Sequence, residues 1–451
     1  MKRTLIFLIT PLAVLITATQ APGNPFEFFG FNSRDAAMGR AVTAAAYDYT
    51  AIYYNPAMLT QVEGITLGFG YYNAMPTLRI DGHDTDVDRI SGIPFGFSVP
   101  VEVFKRLKIA AGFAFQAPNK RVARYLLIPY ERPRFTMYAN RSQRILTFMA
   151  VGVEIVPWLS VGAGISMLGG LGGGPELHLK ESWTEEPSVG TLTSDIIPSF
   201  APFAGVFVKP FERLSLGFVY RRQLDSEIDV PAMVLMPDIY APDINPLEIP
   251  LIRATVIEAG GLQVSHFTPD NIAFGTAFQV TENLLVTADL TILFWSQFKY
   301  FAPVVTLDLY GENGQSGHLG DWVEIIDQIL PEPNFDDVLM PAFGMEWRFL
   351  EKEKIELFAR GGYFFRESPV PDQVGETNFV DSDLHSFSHG LGVILKDLTE
   401  IFPKPVGIDI HFQYQVLTNR RTVKANVTDP IGDYESDGEI LNIGMTIIMH
   451  F

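Results

Sequence analysis

The stretch that decides the fold is GEILNIGMTIIMHF, residues 438–451. Large apolar residues occupy alternate positions: Leu441, Ile443, Met445, Ile447, Met449 and Phe451. Between them lie Asn442, Gly444, Thr446 and His450, with Ile448 as the one apolar exception. Successive side chains of a strand point to opposite faces, so this pattern predicts one lipid-compatible face and one wetter face. The edge strand of a soluble sandwich is the alternative, but such a strand rarely exposes six large apolar side chains.

The first residues predict export. Lys2 and Arg3 precede an apolar run from position 5 to 16, which is too short to span a bilayer as a helix. We expect a signal peptide over residues 1–23, with cleavage after Gly23. A cut after Ala21 would place Pro22 beside the scissile bond. The terminal Phe451 resembles the assembly signal that outer-membrane barrels present to the barrel assembly machinery, an expected partner.

Composition excludes several classes. The net charge of −19 argues against nucleic acid as a partner, because phosphate binding needs a basic surface. The chain has no cysteine, so no disulfide framework is expected. The best candidate for a membrane-spanning helix is Ile155–Gly174, a charge-free stretch that contains Pro157 and seven glycines and alternates apolar with small residues. It therefore predicts a strand and not a membrane helix.

Strand-like segments recur from Gly64 to the end, joined alternately by short and long connections. The short ones are predicted at Phe104–Arg106, Val156–Trp158, Pro210–Arg213, Thr281–Asn283, Glu351–Lys354 and Lys396–Pro405. The long ones are predicted at Asn73–Ser91, Pro118–Arg141, Gly170–Ser199, Ser226–Pro269, Lys299–Val338, Glu367–Asp383 and Ala425–Asp437. Six turns and seven loops join fourteen strands, the even count of a bacterial outer-membrane barrel. Ile252–Phe267 is assigned to the fourth long loop, because counting it would give fifteen.

Residues 24–61 lack strand alternation and are rich in alanine and glycine. Irregular backbone cannot face hydrocarbon, where its polar groups would stay unsatisfied. A barrel of fourteen strands is wide enough to leak unless it is filled. We therefore predict an all-β, 14-stranded antiparallel transmembrane β-barrel over residues 62–451, with residues 24–61 as an N-terminal plug (hatch) inside the lumen.

A set of short motifs resembles one family. The set begins with SRDAAMGRA at 33–41 and AIYYNPA at 51–57, and continues with GFVYR at 217–221, WSQF at 295–298 and RGGY at 360–363 before SPVPD at 368–372. In this order the motifs resemble the outer-membrane long-chain fatty acid transporters of the FadL/TodX type. The resemblance implies a monomeric barrel that captures hydrophobic molecules at its outer loops and releases them sideways past a hatch, beside a kinked third strand.

The gate is expected at the triplet Asn55, Pro56 and Ala57. Its Asn can bond nearby backbone, and Pro56 biases Asn55 towards extended geometry. The triplet could equally be an ordinary turn into the first strand. The resemblance places a lateral opening beside the third strand, at Gly112, Ala117 and Pro118. Pro118 is either the origin of a kink or the start of the next loop.

Substrate capture is expected on the fourth long loop, where apolar residues are frequent for an outside segment: Met233, Leu235, Met236 and Ile239. Anchoring in the outer leaflet is the alternative role. Seven cations lie between Lys120 and Arg144, with Glu131 as the single acid. On an outside loop this basic run predicts contact with outer-membrane lipid and lipopolysaccharide phosphates.

The acidic run from Asp81 to Asp88 lacks the glycine and glutamate spacing of a calcium-binding EF-hand loop. No Gly-x-Ser-x-Gly motif occurs. We therefore expect no enzyme activity, metal or cofactor. The expected function is passive uptake of hydrophobic molecules, long-chain fatty acids or similar hydrocarbons, across the bacterial outer membrane. A polar-solute diffusion porin is the alternative, and a barrel lipid hydrolase is a more remote one.

Overall fold

The fold is known from a computed structural model, which describes residues 26–103, 107–119, 132–135, 137–138, 145–172, 175–178, 189–192, 195–229, 232–239, 252–298, 303–311, 332–375, 377–397 and 404–451. The predicted signal peptide lies outside these residues.

Fourteen antiparallel strands close into one barrel. They are β1 Thr66–Ile80, β2 Ile90–Val103, β3 Leu107–Pro118, β4 Leu146–Val156, β5 Leu159–Gly172, β6 Asp195–Phe211, β7 Leu214–Arg221, β8 Asn271–Thr281, β9 Leu284–Leu293, β10 Val338–Lys352, β11 Ile355–Arg366, β12 Leu384–Leu395, β13 Val406–Thr422 and β14 Tyr434–His450. Each strand pairs with its neighbours in sequence. The first and last strands close the ring in one unbroken register, from Thr66 opposite His450 to Ile80 opposite Ser436.

The strand count and the order of the predicted connections are confirmed, but the first long loop is shorter than the predicted Asn73–Ser91, because β1 stays paired with β14 as far as Ile80. All six short turns lie at one end of the barrel and all seven long connections at the other, because antiparallel neighbours reverse direction at each connection. The predicted alternation in β14 is also confirmed. Asn442, Thr446 and Ile448 are buried, whereas Ile443 and Met445 are 44% and 46% exposed.

The outer surface of the barrel carries many exposed large apolar side chains, among them Phe69, Met149, Phe218, Phe343 and Ile410. Polar residues lie on the opposite side of the same strands, where Asp409, His411, Gln413 and Gln415 of β13 are buried. Among the described residues, no helix is long and apolar enough to cross a membrane.

The segment Ile252–Phe267 is outside the barrel ladder, as predicted, but it is not an irregular loop. Ile252–Thr268 is a strand that pairs with Leu224–Asp229, Ala232–Ile239 and Pro303–Gly311. Together with Pro175–His178 and Val189–Leu192, these strands form a separate six-stranded sheet. Three long connections thus contribute regular structure beyond the long-loop end of the barrel.

Residues 26–62, called the N-terminal segment below, contain short helices only. They are Phe26–Phe29, Ser33–Ala37, Ala51–Tyr54 and the 3-10 helix Pro56–Gln61. One further 3-10 turn, Trp295–Gln297, follows β9.

Candidate functional site

The N-terminal segment is shaped by its own caps. The Oδ1 atom of Asn32 accepts a hydrogen bond of 2.7 Å from the backbone N–H of Asp35 and so begins the helix Ser33–Ala37. Asn55 does the same for the 3-10 helix Pro56–Gln61, accepting from the N–H of Ala57 at 3.1 Å. Pro56 occupies the first helical position, where its missing N–H costs nothing. Two of the four short helices are therefore fixed by a side-chain cap at their first residue.

The segment approaches the barrel wall so closely that the wall must be glycine at the points of contact. A Cβ atom at Gly162 would overlap the backbone of Pro56 and Ala57, and one at Gly362 would overlap Gly39. Eleven strands supply such a glycine: Gly68, Gly96, Gly112, Gly152, Gly162, Gly205, Gly217, Gly275, Gly344, Gly362 and Gly390. These residues are called the glycine belt below. At six of these glycines the wall meets backbone atoms of the segment, and at Gly68, Gly96, Gly112, Gly205 and Gly390 it meets side-chain atoms. Glycine leaves room for both kinds of close approach.

The three remaining strands hold the segment through polar side chains instead. Asp289 of β9 accepts a hydrogen bond of 2.9 Å from the N–H of Thr43. In β13, Gln413 donates to the carbonyl oxygen of Phe28 at 3.1 Å. Thr446 of β14 accepts from the N–H of Ser33 at 3.0 Å. Every strand of the barrel thus contacts the N-terminal segment.

A buried ionic network adds to this attachment. The guanidinium of Arg34 makes two hydrogen bonds to Glu346 of β10, at 2.8 and 3.0 Å. Glu346 also accepts from Arg360 of β11 at 2.6 Å, and Arg360 in turn bonds Asp409 of β13. Two cations and two carboxylates therefore alternate in a connected set, which is the arrangement that makes buried charge tolerable. Beside them, burial raises the pKa of Asp35 well above its usual range.

The predicted gate triplet lies within this contact surface. The side-chain amide of Asn55 donates to the carbonyl oxygens of Thr43 and Val206, both at 3.0 Å, and Asn55 is fully buried. Pro56 and Ala57 pack on Gly162 of the glycine belt. The triplet therefore ties two parts of the segment to β6. Control of passage by these residues stays a prediction.

The long-loop end of the barrel interior has a different character. Phe267, Trp295, Phe298, Phe335 and Phe379 form a run of ring contacts with centroid separations of 5.0–6.4 Å, and all five are buried. These five residues are called the aromatic cluster. Each belongs to a long connection or to its junction with a strand, so five separate sequence positions converge on one apolar volume.

The N-terminal segment forms part of the same apolar volume. Phe28 and Phe29 are 1% exposed and belong to one packed core with the aromatic cluster. The ring of Phe28 lies 5.5 Å from that of Tyr138, and the ring of Phe29 lies 6.0 Å from that of Tyr72. The first residues of the segment, Phe28 and Phe29, therefore pack into the apolar volume at the long-loop end. The residues that follow are held by hydrogen bonds and ion pairs to the barrel wall.

The sequence did not predict the aromatic cluster as a site. Trp295 and Phe298 were noted only as part of a family motif, and Phe267, Phe335 and Phe379 were not singled out. One feature of the sequence could have indicated the cluster: aromatic residues lie near the ends of three predicted long loops, Ser226–Pro269, Lys299–Val338 and Glu367–Asp383. Their convergence depends on closure of the barrel, which no local pattern encodes.

The residues predicted to line a lateral opening lie in β3. This strand pairs with β2 from Leu107 to Pro118, whereas its pairing with β4 extends only from Ile109 to Gln116. Ala117 and Pro118 are therefore bonded on one side only among the described residues. Gly112 belongs to the glycine belt and faces Ile52 of the N-terminal segment. The opening itself stays a prediction.

The predicted capture residues Met233, Leu235, Met236 and Ile239 lie in the strand Ala232–Ile239 of the separate sheet. The strand pairs with Ile252–Thr268 in an antiparallel ladder, in which Leu235 is opposite Val256. The structure thus assigns these residues a backbone conformation, and their role in capture stays a prediction. Of the basic run 120–144, the described members are Arg132, which is exposed, and Arg134, which is buried.

A small cavity of about 50 Å³ with a mixed polar and apolar lining lies between the N-terminal segment and the wall at β7–β10. Its lining includes Arg40, Tyr54, Arg221, Asn271 and Asp289. A volume of this size holds a few water molecules and is far too small for a hydrocarbon chain. The apolar volume suited to such a molecule is the one that the aromatic cluster fills.

The comparisons with known proteins agree with this architecture. No family model matches the chain. Alkane uptake protein A of Marinobacter nauticus is 23% identical over 458 residues, which cover 95% of this chain and 92% of that protein. A FadL homologue of Pseudomonas aeruginosa superimposes with a TM-score of 0.54 at 13% identity, covering 93% of this chain and 98% of that one.

The toluene transporter TodX of Pseudomonas putida gives a TM-score of 0.52 at 12% identity, with 96% of this chain and all of that chain covered. The chain has the FadL/TodX-type fold. The predicted family resemblance is thereby confirmed. The FadL/TodX-type barrel with its apolar outer surface is a protein of the bacterial outer membrane, also as predicted.

Proposed function

We propose that this protein is a channel for the passive uptake of hydrophobic molecules, long-chain fatty acids or similar hydrocarbons, across the outer membrane. The observation that carries the proposal is the aromatic cluster, an apolar volume inside a closed barrel at its long-loop end. Alkane uptake and toluene transport, named for the sequence relative and a structural relative, both need such a volume.

The energetics favour this route for an apolar molecule. Moving a hydrocarbon from water into an apolar site gains about 0.8 kcal/mol per methylene. The aromatic cluster offers rings that can move apart and repack around a ligand, since ring contacts are favourable in several geometries. Release sideways into the membrane core would avoid returning the molecule to water. In our proposal this release occurs at the end of β3, where Ala117 and Pro118 lack a described partner on β4.

The N-terminal segment acts, in this proposal, as a plug. Its contacts with all fourteen strands would block free diffusion of polar solutes, which argues against the porin alternative. Asn55, Pro56 and Ala57 would set how far the plug can shift when a hydrophobic molecule passes. The exposed apolar residues on the barrel exterior would face lipid, with the long connections on the cell surface.

We extend the proposal to partners in the same terms. The terminal strand β14 would be read by the barrel assembly machinery, and outside basic residues such as Arg132 would contact lipopolysaccharide. The closed ring leaves no barrel edge for a second copy, which favours a monomer.

The proposal is tested by reconstituting the purified protein in lipid vesicles and measuring two kinds of passage. We expect transfer of labelled alkane or fatty acid to an acceptor inside the vesicles, and no swelling in sugar or amino-acid solutions. Swelling without hydrocarbon transfer would replace this proposal with the porin alternative. A Trp295→Asn variant should lose hydrocarbon transfer, whereas Trp347→Asn on the outer surface should not.

A further inference from the structure

Two long connections meet above the aromatic cluster. Arg134 and Phe135, from the connection between β3 and β4, pair in parallel with Phe379 and Val380, from the connection between β11 and β12. The N–H of Arg134 also donates to the carbonyl oxygen of Asn378 at 3.3 Å. β4 and β11 are seven strands apart in a ring of fourteen, so the two connections reach across the barrel from opposite sides.

The meeting point covers the aromatic cluster and not another part of the molecule. Phe135 is fully buried and Val380 is 2% exposed, and both belong to the same packed core as Trp295 and Phe335. The ring of Phe379 lies 5.6 Å from that of Phe335. The paired residues Arg134–Phe135 and Phe379–Val380 are called the bridge below. One face of the bridge forms a wall of the apolar volume.

One half of this bridge is fixed firmly to the rim of the barrel. Arg366, at the end of β11, is 1% exposed and lies 2.9 and 3.0 Å from the two carboxylate oxygens of Asp381. Arg420 of β13 donates to the carbonyl oxygen of Val370 at 2.7 Å and to that of Asp381 at 3.2 Å. Such charge-assisted bonds are stronger than neutral ones. The connection 367–383 is thus held down along its length.

We propose that residues 132–135 and 137–138, together with residues 367–375 and 377–383, form a lid over the aromatic cluster, and that the bridge between Arg134–Phe135 and Phe379–Val380 must part to admit a hydrophobic molecule from outside. The inference rests on the proposed uptake function and adds the place of admission. The ionic pairs of Arg366 and Arg420 keep the 367–383 half in position while the bridge separates.

The chemistry of the bridge suits this role. It consists of two residue pairs of backbone, and three of its four side chains, Phe135, Phe379 and Val380, are apolar and pack on an apolar core, whereas the fourth, Arg134, is a buried cation. A hydrocarbon that enters between the halves replaces one apolar contact by another. Water cannot make the same exchange. Polar solutes therefore leave the lid closed, whereas hydrophobic molecules can part it, so the lid selects by the same property as the volume beneath it.

The test uses the absence of cysteine from the chain. Phe135 and Val380 face each other across the bridge, so the double variant Phe135→Cys with Val380→Cys places two thiols at a spacing suited to a disulfide. Hydrocarbon transfer is measured with the oxidised and the reduced double variant in vesicles, with cross-linking quantified by mass. We expect the oxidised form to fall to the level of vesicles without protein, and reductant to restore transfer.

The matched control is Tyr363→Cys with Phe387→Cys, a facing pair of β11 and β12 on the outer surface. Its oxidation locks two barrel strands together and should leave transfer unchanged. A cross-linked lid variant that transfers as fast as its reduced form overturns the lid. A reduced lid variant that is assembled but transfers no hydrocarbon is compared with wild-type protein in the same vesicles. If the wild type also transfers nothing, the proposed uptake function fails. If the wild type transfers hydrocarbon, the two substitutions themselves have damaged the site.

A second measurement does not depend on disulfide formation. In the single variant Phe135→Cys, the thiol is buried in the closed lid, so a membrane-impermeant maleimide should label it slowly from outside. Added hexadecane or toluene should raise the labelling rate several-fold, and sucrose should not. An unchanged rate with hydrocarbon contradicts the lid.

Discussion

Two parts of the barrel interior are filled in opposite ways. At the glycine belt, backbone and side chains of the N-terminal segment contact the wall, and the segment is tied to it by directional bonds, such as those of Asn55 and Arg34. Near the long connections, the filling is aromatic side chains that contact one another.

The difference indicates which of the two parts can rearrange when a ligand enters. Breaking the hydrogen bonds between the N-terminal segment and the wall would leave buried polar groups without partners, which costs free energy. Contacts between aromatic rings can instead be exchanged for contacts with an apolar ligand. We infer that a hydrophobic molecule displaces aromatic side chains first and that the N-terminal segment stays bonded to the wall while it does so. The predictions below test the two fillings in turn.

The largest effect is expected in the glycine belt. Gly362→Val would place side-chain atoms on the backbone of Gly39, whereas Gly361→Val, the next residue, points away from the segment into open space. Overpacking typically costs about 1–3 kcal/mol and more where backbone must shift. We expect the N-terminal segment to detach from the wall in Gly362→Val. Detachment would be measured as a new conductance to small ions in planar bilayers. Equal conductance of the two variants would mean that the close approach is not needed.

The next effect is expected in the ionic network. Arg34→Ala removes one partner of buried Glu346 and leaves Arg360 as the other, so we expect destabilisation of about 3 kcal/mol, the lower end for a broken buried pair. Thermal unfolding and segment protection in hydrogen exchange report it. Arg421→Ala is the control, because its pair with Asp433 is exposed and such pairs contribute about 0–1 kcal/mol. A similar loss of stability in the two variants would mean that the buried ionic network stabilises the fold no more than an exposed ion pair does.

A smaller effect is expected in the aromatic cluster. Phe335→Asn puts an amide without a partner into an apolar volume, which weakens hydrocarbon binding by roughly tenfold, or about 1–2 kcal/mol. Binding is measured by quenching of tryptophan fluorescence in assembled protein. Phe343→Asn on the outer surface should bind as wild type does. Unchanged binding by Phe335→Asn would remove the cluster from the binding site.

The smallest effect concerns Asp35. Because burial raises the pKa of this carboxyl, the folded state favours its protonated form. Stability from this group is full below its unfolded pKa of about 3.9 and is lost as pH rises through the higher folded value. The stability gap between wild type and Asp35→Asn should therefore widen in favour of the Asn variant from pH 4 to pH 8. A gap that does not change with pH would contradict a raised pKa.

Much of the barrel was predictable, because its information is local. A period of two fixes each strand, as in β14, and turn residues fix the ends, so the six short turns fell where expected. The strand Ile252–Thr268 was correctly excluded from the barrel and assigned to a long loop, but the sheet that it forms was not predicted. Its partners, Ala232–Ile239 and Pro303–Gly311, come from two different connections, and pairing between distant segments leaves no local signal.

The interior was less predictable for the same reason. Glycines were visible in nearly every strand, but only the register shows that Gly362 and not Gly361 meets the N-terminal segment. Arg34 and Glu346 are 312 residues apart, and neither has an environment in the sequence that marks it as buried. The bridge between Phe135 and Val380 likewise exists only once the ring has closed.

The most direct measurement is a crystal structure with a bromoalkane bound, in which anomalous scattering locates the bromine. We expect bromine within the volume lined by Trp295, Phe335 and Phe379, with the aromatic rings displaced. We also expect the hydrogen bonds from Arg34 to Glu346 and from Asn55 to Val206 to be still present. Bromine elsewhere, or a ligand seated in the aromatic cluster together with an N-terminal segment detached from the glycine belt, would contradict these expectations.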